Sequence, residues 1–467
     1  MAGLYVHVPF CARACPYCDF DFEVGRRPDA EAFIRGLERE LDARLHEAER
    51  DPAAAARAEG SDRPGSAEPR RPRAAGRRPS LPVVQEHDPR DMPEAPGLKG
   101  HVVGAMSQSP GPVGHVAADR SRSPALEDPP PGPLRAAVPA DAAWPTVYLG
   151  GGTPSLLGAD GLRALGRWIS RRFPGAGGEE YTVEVNPEHA GPALYAAVRA
   201  IGGTRVSLGV QTLDAVGLGV LGRAHAPGGA REAIAAAVRA GLAVSVDLIV
   251  GWPGQTPASL ADDLAGLIDR GVVHVSIYAL TVEPGTPWEA LVRRGKRDVP
   301  DPEHQADMLL AAEAALVAAG LEHYEVASYA APGHAARHNL GYWTWRDYLG
   351  LGPSAHSAVF AADGSVRRRG NRRGLAAWLA DPATPGELDV REPLAAAAEG
   401  LWTGLRHLPG LALAPFLARF PAVDRAWLEQ RTRRQLRLGN LELGEATLRV
   451  APGRWLWHDT ISADLLD

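Results

Sequence analysis

Three cysteines, Cys11, Cys15 and Cys18, constrain this chain more than any other feature of its sequence. They are the only cysteines in 467 residues, and they stand within eight positions of one another in the pattern C-x3-C-x2-C. Iron–sulfur clusters are held by cysteine thiolates, and a loop with this spacing can bring three sulfurs to one cubane. Because a four-iron cubane has four corners, three thiolates leave one iron open for a ligand from outside the protein.

Two other roles for the cysteines have to be weighed. A disulfide is disfavoured, because the number of cysteines is odd and nothing else marks a secreted protein. A structural zinc site usually has four protein ligands, so zinc would need His7 or a more distant histidine as the fourth. The apolar residues 4–8 read as a short buried strand that leads straight into the loop, which favours the cluster.

Length and composition limit the class of protein. A chain of 467 residues holds two or three domains, and a hydrophobic content of 45% allows a sizeable core. The net charge of −6 gives no global basic field for nucleic acid or an anionic membrane. The first residues lack a basic n-region and an apolar h-region, and no apolar run approaches the roughly 20 residues of a membrane span. We therefore expect a cytoplasmic protein without a membrane span.

Residues 51–141 differ in composition from the rest of the chain. They are rich in Ala, Pro, Arg, Gly and Ser, and they show neither helical nor alternating apolar periodicity. Such a segment cannot bury enough apolar area to offset the entropy of ordering it. We predict a disordered insertion here, which separates residues 1–50, a first βα unit with the cysteine loop, from the rest of the core.

Short apolar strands alternate with helical segments through much of the chain. Strands are predicted at residues 4–8, 146–149, 181–185, 205–209, 244–250, 274–280 and 323–329. Helices are predicted after an N-cap at Asp29 and at residues 160–173, 192–201, 230–240, 257–270 and 302–319. Repeated βα units form a parallel sheet with right-handed crossovers, and the first six fall short of the eight that close a TIM barrel. The predicted fold class is α/β, a partial (βα)6 barrel completed by residues 142–380.

A second, smaller domain is predicted after residues 380–386, where two prolines and a glycine interrupt the pattern. Beyond this point we expect helices to about residue 435 and two short strands between residues 441 and 457. This order predicts a winged-helix-like domain at 387–467. Its basic run at 431–437 would suit DNA, but an exposed helix face is the stronger interpretation in an acidic chain, so no nucleic-acid partner is expected.

The motifs and their order along the chain resemble those of a known family. The pattern Y-x-H-x-P-F-C-x3-C-x-Y-C from Tyr5, followed by a strand that ends in Gly150-Gly-Gly-Thr-Pro154, is similar to radical S-adenosylmethionine (SAM) proteins related to oxygen-independent coproporphyrinogen III oxidase. The resemblance runs from Leu4 to the C-terminus apart from the insertion. It implies a [4Fe–4S] cluster on Cys11, Cys15 and Cys18 with SAM on the open iron. In that family the reduced cluster gives one electron to the sulfonium and generates a 5′-deoxyadenosyl radical.

Polar residues stand at or near the ends of the predicted strands, where barrel-type folds place their working groups. Asp247 lies in a run so apolar that its charge must be paired or face a ligand. Arg223 can pair with a bound carboxylate. The resemblance implies that SAM is contacted by Tyr5, the backbone of Tyr17, Gly151, Gly152, Thr153, Glu184, Gln211, Arg223, Asp247 and Ala279.

One departure from the family pattern separates two related functions. The oxidase carries a further cysteine two positions after the third, and this chain has Phe20 there. This difference puts decarboxylation of coproporphyrinogen in doubt and fits the heme-chaperone branch, which the sequence resembles most. The oxygen-independent coproporphyrinogen III oxidase remains the alternative.

A further motif supports heme. His338-Asn-Leu-Gly-Tyr-Trp343 matches the H-N-x-x-Y-W motif associated with heme binding in the chaperone branch. An imidazole can ligate heme iron and aromatic rings can pack on a porphyrin, although a histidine beside Tyr and Trp can equally be a hydrogen-bonded core residue. The resemblance implies a monomeric or weakly dimeric protein that passes heme to an acceptor protein, with His338 as a candidate heme contact.

Overall fold

The computed structural model describes residues 2–25, 28–49 and 143–466. The predicted disordered insertion at 51–141 lies outside these residues. Within them the strands are β1 (Gly3–Val8), β2 (Phe10–Cys11), β3 (Glu23–Val24), β4 (Thr146–Gly151), β5 (Glu180–Val185), β6 (Arg205–Gln211), β7 (Ala243–Val250), β8 (His274–Ala279), β9 (Glu322–Glu325), β10 (Ser328–Ala330), β11 (Tyr348–Leu351), β12 (His356–Phe360), β13 (Val366–Asn371), β14 (Pro385–Arg391), β15 (Leu411–Ala412), β16 (Leu441–Leu443) and β17 (Thr447–Val450).

The helices surround the strands. They are α1 (Ala30–Glu49), α2 (Gly158–Arg172), α3 (Pro192–Ala200), α4 (Ala215–Val220), α5 (Pro227–Arg239), α6 (Pro257–Ile268), α7 (Pro287–Arg293), α8 (Pro302–Ala318), α9 (Arg337–Trp343), α10 (Leu375–Ala380), α11 (Pro393–Gly404), α12 (Leu413–Arg419), α13 (Arg425–Arg437) and α14 (His458–Ala463). Among the described residues, no helix combines the length and the apolar character that crossing a membrane requires.

One sheet of 12 strands organises the described residues, in the order β14-β13-β12-β11-β1-β4-β5-β6-β7-β8-β10-β9. Strands β1 and β4 to β8 pair in parallel, one after another. Their apolar residues, such as Leu4, Val6 and Val8, are completely buried because helices cover the sheet. The predicted α/β fold with six parallel βα units is therefore confirmed, and the linear strand order keeps the barrel open.

The sheet continues beyond these six strands on both sides. Strand β11 pairs in parallel with the other edge of β1, and β12, β13 and β14 follow in antiparallel order. The single strand predicted at 323–329 is wrong, because the chain turns back after Glu325 and forms the antiparallel pair β9 and β10. The helix expected after residue 386 is also wrong at β14, where polar and apolar residues alternate from Glu387 to Val390. The sheet thus crosses the boundary expected at 380–386.

The end of the chain forms its own small core. Helices α11, α12 and α13 pack with a three-stranded sheet in the order β15-β17-β16 around Leu401, Phe416, Phe420 and Leu448. The chain order helix, strand, two helices, two strands is that of a winged helix, as the sequence predicted. Ala358 of β12 and Val366 of β13 belong to the same buried cluster, so this part packs directly on the large sheet.

Candidate functional site

The cysteine loop leaves the C-terminal end of β1 and is fixed by backbone hydrogen bonds. Strand β2 ends at Cys11 and pairs with β3. The N–H of Cys18 donates to the carbonyl of Cys15 at 3.2 Å, and the N–H of Trp288 donates to the carbonyl of Pro16 at 2.8 Å. Cys15 and Cys18 pack on a buried cluster that includes Tyr17 and Trp288. Apolar side chains therefore support one side of the loop, while its sulfurs face a cavity.

This cavity, of about 100 Å³, is hereafter the cysteine cavity. It brings together most of the predicted site residues, namely Cys11, Cys15, Tyr17, Cys18, Gly151, Gly152, Thr153, Glu184, Gln211, Arg223 and Asp247. Tyr5 and His338 line a neighbouring cavity instead. Ala279 ends β8 as a buried residue and lines neither cavity, whereas the preceding Tyr278 faces the cysteine cavity.

The three thiols line one cavity, as ligands of one shared inorganic group must. Among the described residues, no group of three or more His, Cys, Asp or Glu side chains is arranged to hold a single ion. A cubane is larger than an ion and can be reached by sulfurs spread around a cavity. Burial raises the pKa of Cys11 to about 11 and that of Cys18 to about 12, so these thiols are protonated until a metal displaces their protons.

His7 was the nearest candidate for a fourth ligand of zinc. Its Nδ1 atom is 3.1 Å from the Tyr5 hydroxyl, and its Nε2 atom is 3.0 Å from the carbonyl of Asp21. Both ring nitrogens are thus engaged within the protein. The ring also lines the neighbouring cavity rather than the cysteine cavity, so a zinc site that includes His7 is not formed by this geometry.

The glycines at the end of β4, Gly151 and Gly152, are required by packing. A Cβ atom on Gly152 would lie 2.8 Å from the carbonyl oxygen of Phe10, and one on Gly151 would lie 2.6 Å from the His7 ring. Only glycine allows the cysteine loop and the end of β4 to approach so closely. The N–H of Gly152 donates to the carbonyl of Val8 and that of Gly151 donates to the Glu184 carboxylate, so both N–H groups are used within the protein.

A hydrogen-bonded network joins the strand ends around the cysteine cavity. Arg223, which lies in the loop between α4 and α5, approaches the Cys15 sulfur at 3.4 Å and donates to Asn186 and the Gly209 carbonyl at 2.8 Å each. The Asn186 amide in turn donates to the Thr153 hydroxyl at 3.2 Å. Asn186 was missed as a site residue, although it stands only two positions after Glu184.

Two residues of the cysteine cavity are held in costly states. Gln211 has a positive φ of 69°, which is rare for a residue with a side chain, and its Oε1 is buried without a partner among the described residues. Burial raises the pKa of Asp247 to about 6, although the Ser207 hydroxyl donates to it at 3.1 Å. The sequence analysis also missed Ser207 as a site residue. It lies two positions before Gly209 in β6, so both residues are on the same face of the sheet. An unpartnered amide oxygen and a carboxylate with a raised pKa fit a site that binds a polar ligand.

The neighbouring cavity, of about 270 Å³, is hereafter the histidine cavity. It shares Phe20, Gly151 and Glu184 with the cysteine cavity, so the two lie side by side. Its other lining residues are Tyr5, His7, Asp19, Asp21, Tyr148, His338, Asn339, Tyr342, Tyr348, Ser354, His356 and Arg373. Phenol and imidazole rings dominate this wall, which suits a flat, partly aromatic ligand.

His338 projects from α9 into this wall. Its Nδ1 atom is 2.9 Å from the Thr146 hydroxyl and its Nε2 atom is 2.9 Å from the Tyr342 hydroxyl. Burial lowers the pKa of His338 to about 3, so the imidazole is neutral at physiological pH. A neutral imidazole is the form that ligates iron. To do so through Nε2, His338 must give up its contact with Tyr342.

Comparisons with known proteins show which family the chain resembles. Residues 134–265 match the family model described as the radical SAM superfamily. The heme chaperone HemW of Mycobacterium tuberculosis (strain H37Rv) is 43% identical over 215 residues, which cover 46% of this chain and 55% of that protein. The heme chaperone HemW of Synechocystis sp. is 34% identical over 300 residues, which cover 61% of this chain and 72% of that protein. The chain thus spans little more than half of the mycobacterial relative.

A solved structure shows the same fold. Coproporphyrinogen III oxidase (HemN) from Escherichia coli, a radical SAM enzyme, superimposes with a TM-score of 0.66 at 18% sequence identity. The alignment covers 99% of this chain and 89% of that one. At this sequence identity, the structural similarity shows only that the two proteins share a fold.

Proposed function

This chain belongs to the HemW family of radical SAM proteins, and on that premise we propose that it is a heme chaperone. In this proposal it binds heme and hands it to an acceptor protein. Heme binding and heme transfer are both inferred from relatives such as the mycobacterial heme chaperone HemW. This chain matches 55% of that protein's length. A reducing compartment, the cytoplasm, suits a chain whose three cysteines are all free thiols.

The observation that carries the proposal is the position of His338. The residue belongs to the H-N-x-x-Y-W segment and lines the histidine cavity, which adjoins the cysteine cavity through Phe20, Gly151 and Glu184. A ligand in the histidine cavity would therefore lie next to the cysteine loop. The Oδ1 atom of Asn339, also in this wall, is buried and has no hydrogen-bond partner among the described residues. It is available to a polar group of the ligand.

The residues around the cysteine cavity fit the cofactors that radical SAM proteins use. Cys11, Cys15 and Cys18 would hold a [4Fe–4S] cluster with one open iron. SAM would then lie along the strand ends, where the unpartnered Gln211 Oε1 and the half-buried carboxylates of Glu184 and Asp247 can bind its polar groups. When bound and reduced, the cluster would supply one electron to the sulfonium of SAM. The apolar side chains of the buried cluster that includes Tyr17 and Trp288 support Cys15 and Cys18 on one side.

The test is a heme titration of the anaerobically prepared full chain, followed by absorbance. Replacing His338 with alanine is expected to weaken heme binding and to shift the heme spectrum, whereas His304→Ala, in a helix that lines neither cavity, changes neither. Circular dichroism confirms that both variants are folded. Unchanged titration of His338→Ala would contradict the assignment of this residue.

The same preparation separates the chaperone from its enzymatic relative. With SAM and a reductant, a chaperone leaves coproporphyrinogen III intact, because Phe20 occupies the position of the further cysteine in the oxidase. Decarboxylation of that substrate would overturn the proposal. A triple variant with alanine at Cys11, Cys15 and Cys18 is expected to retain heme binding, since His338 lies in the other cavity.

A further inference from the structure

Among the described residues, Arg373 is the one arginine or lysine that lines the histidine cavity. It is exposed and has no ion-pair partner within the described part of the chain, whereas the neighbouring Arg372 pairs with Asp381 at 3.5 Å. Burial is the main cause that lowers the pKa of His7 in the same wall, and the charge of Arg373 acts in the same direction, so the guanidinium lies near this ring. Arg373 is therefore a cation at the opening of the cavity that a ligand can reach.

The backbone on both sides of Arg373 is fixed by hydrogen bonds. The carbonyl of Arg372 accepts from the N–H of Ser354 at 3.0 Å, and the N–H of Gly374 donates to the Asp21 carboxylate at 2.7 Å. The same carboxylate oxygen accepts from the Ser354 hydroxyl at 2.6 Å. These contacts hold the short segment between β13 and α10 against the loop that follows the cysteines, so Arg373 has a defined place beside the cavity.

Three carboxylates, those of Asp19, Asp21 and Glu184, line the same cavity. They repel an anionic group from most of the wall, and Asp21 also offsets part of the charge of Arg373. Long-range attraction is therefore weak, and an anion is held here only by direct contact with the guanidinium. Such a contact is strong and directional for a carboxylate, which can accept two parallel N–H···O bonds from one arginine.

Strand β1 relates the position of Arg373 to that of His338. A Cβ atom on Gly3, at the start of β1, would lie 3.0 Å from the His338 ring. Near the other end of β1, the Nε2 atom of His7 is 3.0 Å from the carbonyl of Asp21, the residue that also holds the segment of Arg373. Gly3 and His7 are four positions apart, so these two levels are separated by about 13 Å along the strand. A porphyrin that is ligated at its centre and bound at its edge can bridge this span.

We propose that Arg373 binds a propionate of the porphyrin in the histidine cavity, so that heme lies with its iron towards the buried His338 and its carboxylates towards solvent. The inference rests on the proposed heme binding and names the residue that distinguishes a porphyrin acid from a neutral ligand. The carboxylate of SAM is not the expected occupant, because Arg373 does not line the cysteine cavity, whereas Arg223 does. The propionate edge is then the part of heme that faces the opening.

The experiment compares porphyrin acids with their dimethyl esters, in which both carboxylates are neutral. The anaerobically prepared full chain is titrated with heme and heme dimethyl ester by absorbance, and with metal-free protoporphyrin IX and its dimethyl ester by fluorescence, all in the same detergent. The test variants are Arg373→Gln, which removes the charge, and Arg373→Lys, which keeps the charge but lacks the planar fork. Arg372→Gln is the matched control, because it makes the same change one position earlier and outside both cavities.

We expect Arg373→Gln to weaken the binding of both acids about five- to tenfold and to leave the binding of both esters unchanged, with a smaller loss for Arg373→Lys. The wild type should prefer each acid to its ester by a similar factor. His338→Ala, by contrast, should weaken heme and heme dimethyl ester alike, because it removes a contact to iron and none to a carboxylate.

Three results would overturn the assignment of Arg373: unchanged binding of the acids by Arg373→Gln, equal weakening of acids and esters by that variant, or an equal loss in Arg372→Gln. Each of them leaves the proposed function standing where heme still binds. If protoporphyrin IX binds through Arg373 but heme does not bind, the proposed function fails and the carboxylate site stands. If the wild type binds no porphyrin, both fail.

Discussion

The carboxylate of Glu180, at the start of β5, accepts hydrogen bonds from the backbone N–H groups of His338 and Arg337 at 3.0 and 3.1 Å. A residue 158 positions earlier in the chain thus caps the helix that carries His338. Arg205 holds the same carboxylate at 3.2 Å and is tied in turn to Ser245 at 2.9 Å. The orientation of α9 is therefore set by a buried ion pair in the sheet.

Replacing Glu180 with alanine is expected to lower the free energy of unfolding by about 3–5 kcal/mol, because it leaves the Arg205 guanidinium buried and unpaired. Glu180→Gln keeps an acceptor for one N–H group and is expected to cost less. Both changes should weaken heme binding, since α9 loses its fixed position. Urea unfolding and heme titration measure the two effects. Glu179→Gln, whose carboxylate pairs with Arg337 at the surface, serves as the control and should change neither.

Tyr342→Phe tests which nitrogen of His338 contacts iron. The Tyr342 hydroxyl lies 2.9 Å from Nε2 and competes with any ligand for that atom. Loss of one hydrogen bond is worth about 1 kcal/mol, so heme binding through Nε2 should tighten about fivefold. Tyr348→Phe is the control, because Tyr348 lines the same cavity and contacts the Tyr342 ring. Weaker binding by Tyr342→Phe alone would show instead that the hydroxyl itself holds the heme.

Gly152→Ala should separate the cysteine loop from β4. Its new Cβ atom would meet the backbone of Phe10 and Val8 at 2.8–2.9 Å, and backbone atoms cannot rotate away. The strain is expected to cost about 1–3 kcal/mol of unfolding free energy and to lower the yield of reconstituted cluster. In Gly228→Ala, where a Cβ atom meets nothing within 4 Å, stability should be equal or slightly higher. Equal stability of the two variants would refute the close approach.

Asp247 is expected to lower stability in return for binding. Burial raises its pKa to about 6, above its ordinary value of 3.8, so the folded state resists ionisation. Asp247→Asn should therefore stabilise the ligand-free protein above pH 6, and the gain should disappear as the pH falls below about 4. Because the side chain is only half-buried at the cavity, about 1–2 kcal/mol is expected rather than the full value of the shift.

The same variant should bind SAM more weakly, since it lacks a carboxylate for the polar groups of the cofactor. Chemical unfolding at pH 8 and pH 5 measures the stability, and calorimetry with SAM measures the binding. A variant that is no more stable at pH 8 than the wild type would contradict the raised pKa.

Local sequence patterns were sufficient for the central sheet. Strands such as β7, whose residues are apolar apart from Ser245 and Asp247, were predicted to within one residue, because a strand buried on both faces needs a mainly apolar run. The cysteine-cavity residues were named by the family resemblance, and the rule that parallel strands carry their carboxyl ends to one edge of the sheet supported a common site. Glu184 and Asp247, on β5 and β7, meet at that edge for this reason.

The histidine cavity could not be predicted from local patterns. It forms because β11 pairs with β1, so that residues near 348 lie beside residues near 5. Ser354, held at a positive φ of 58°, then donates to Asp21 at 2.6 Å and closes one side. Neither the pairing nor the backbone conformation has a signal within a short window of sequence. Tyr5 and His338 were therefore named singly, and their common cavity emerged only from the fold.

The central claim is that Cys11, Cys15 and Cys18 hold one iron–sulfur cubane with a free corner. The most direct measurement is the metal and sulfide content of anaerobically reconstituted protein, with electron paramagnetic resonance of the reduced sample before and after SAM is added. The account predicts about four iron and four sulfide per chain, a signal that SAM perturbs, and loss of both in the alanine variants. Stoichiometric zinc, or no bound metal in correctly folded protein, would contradict it.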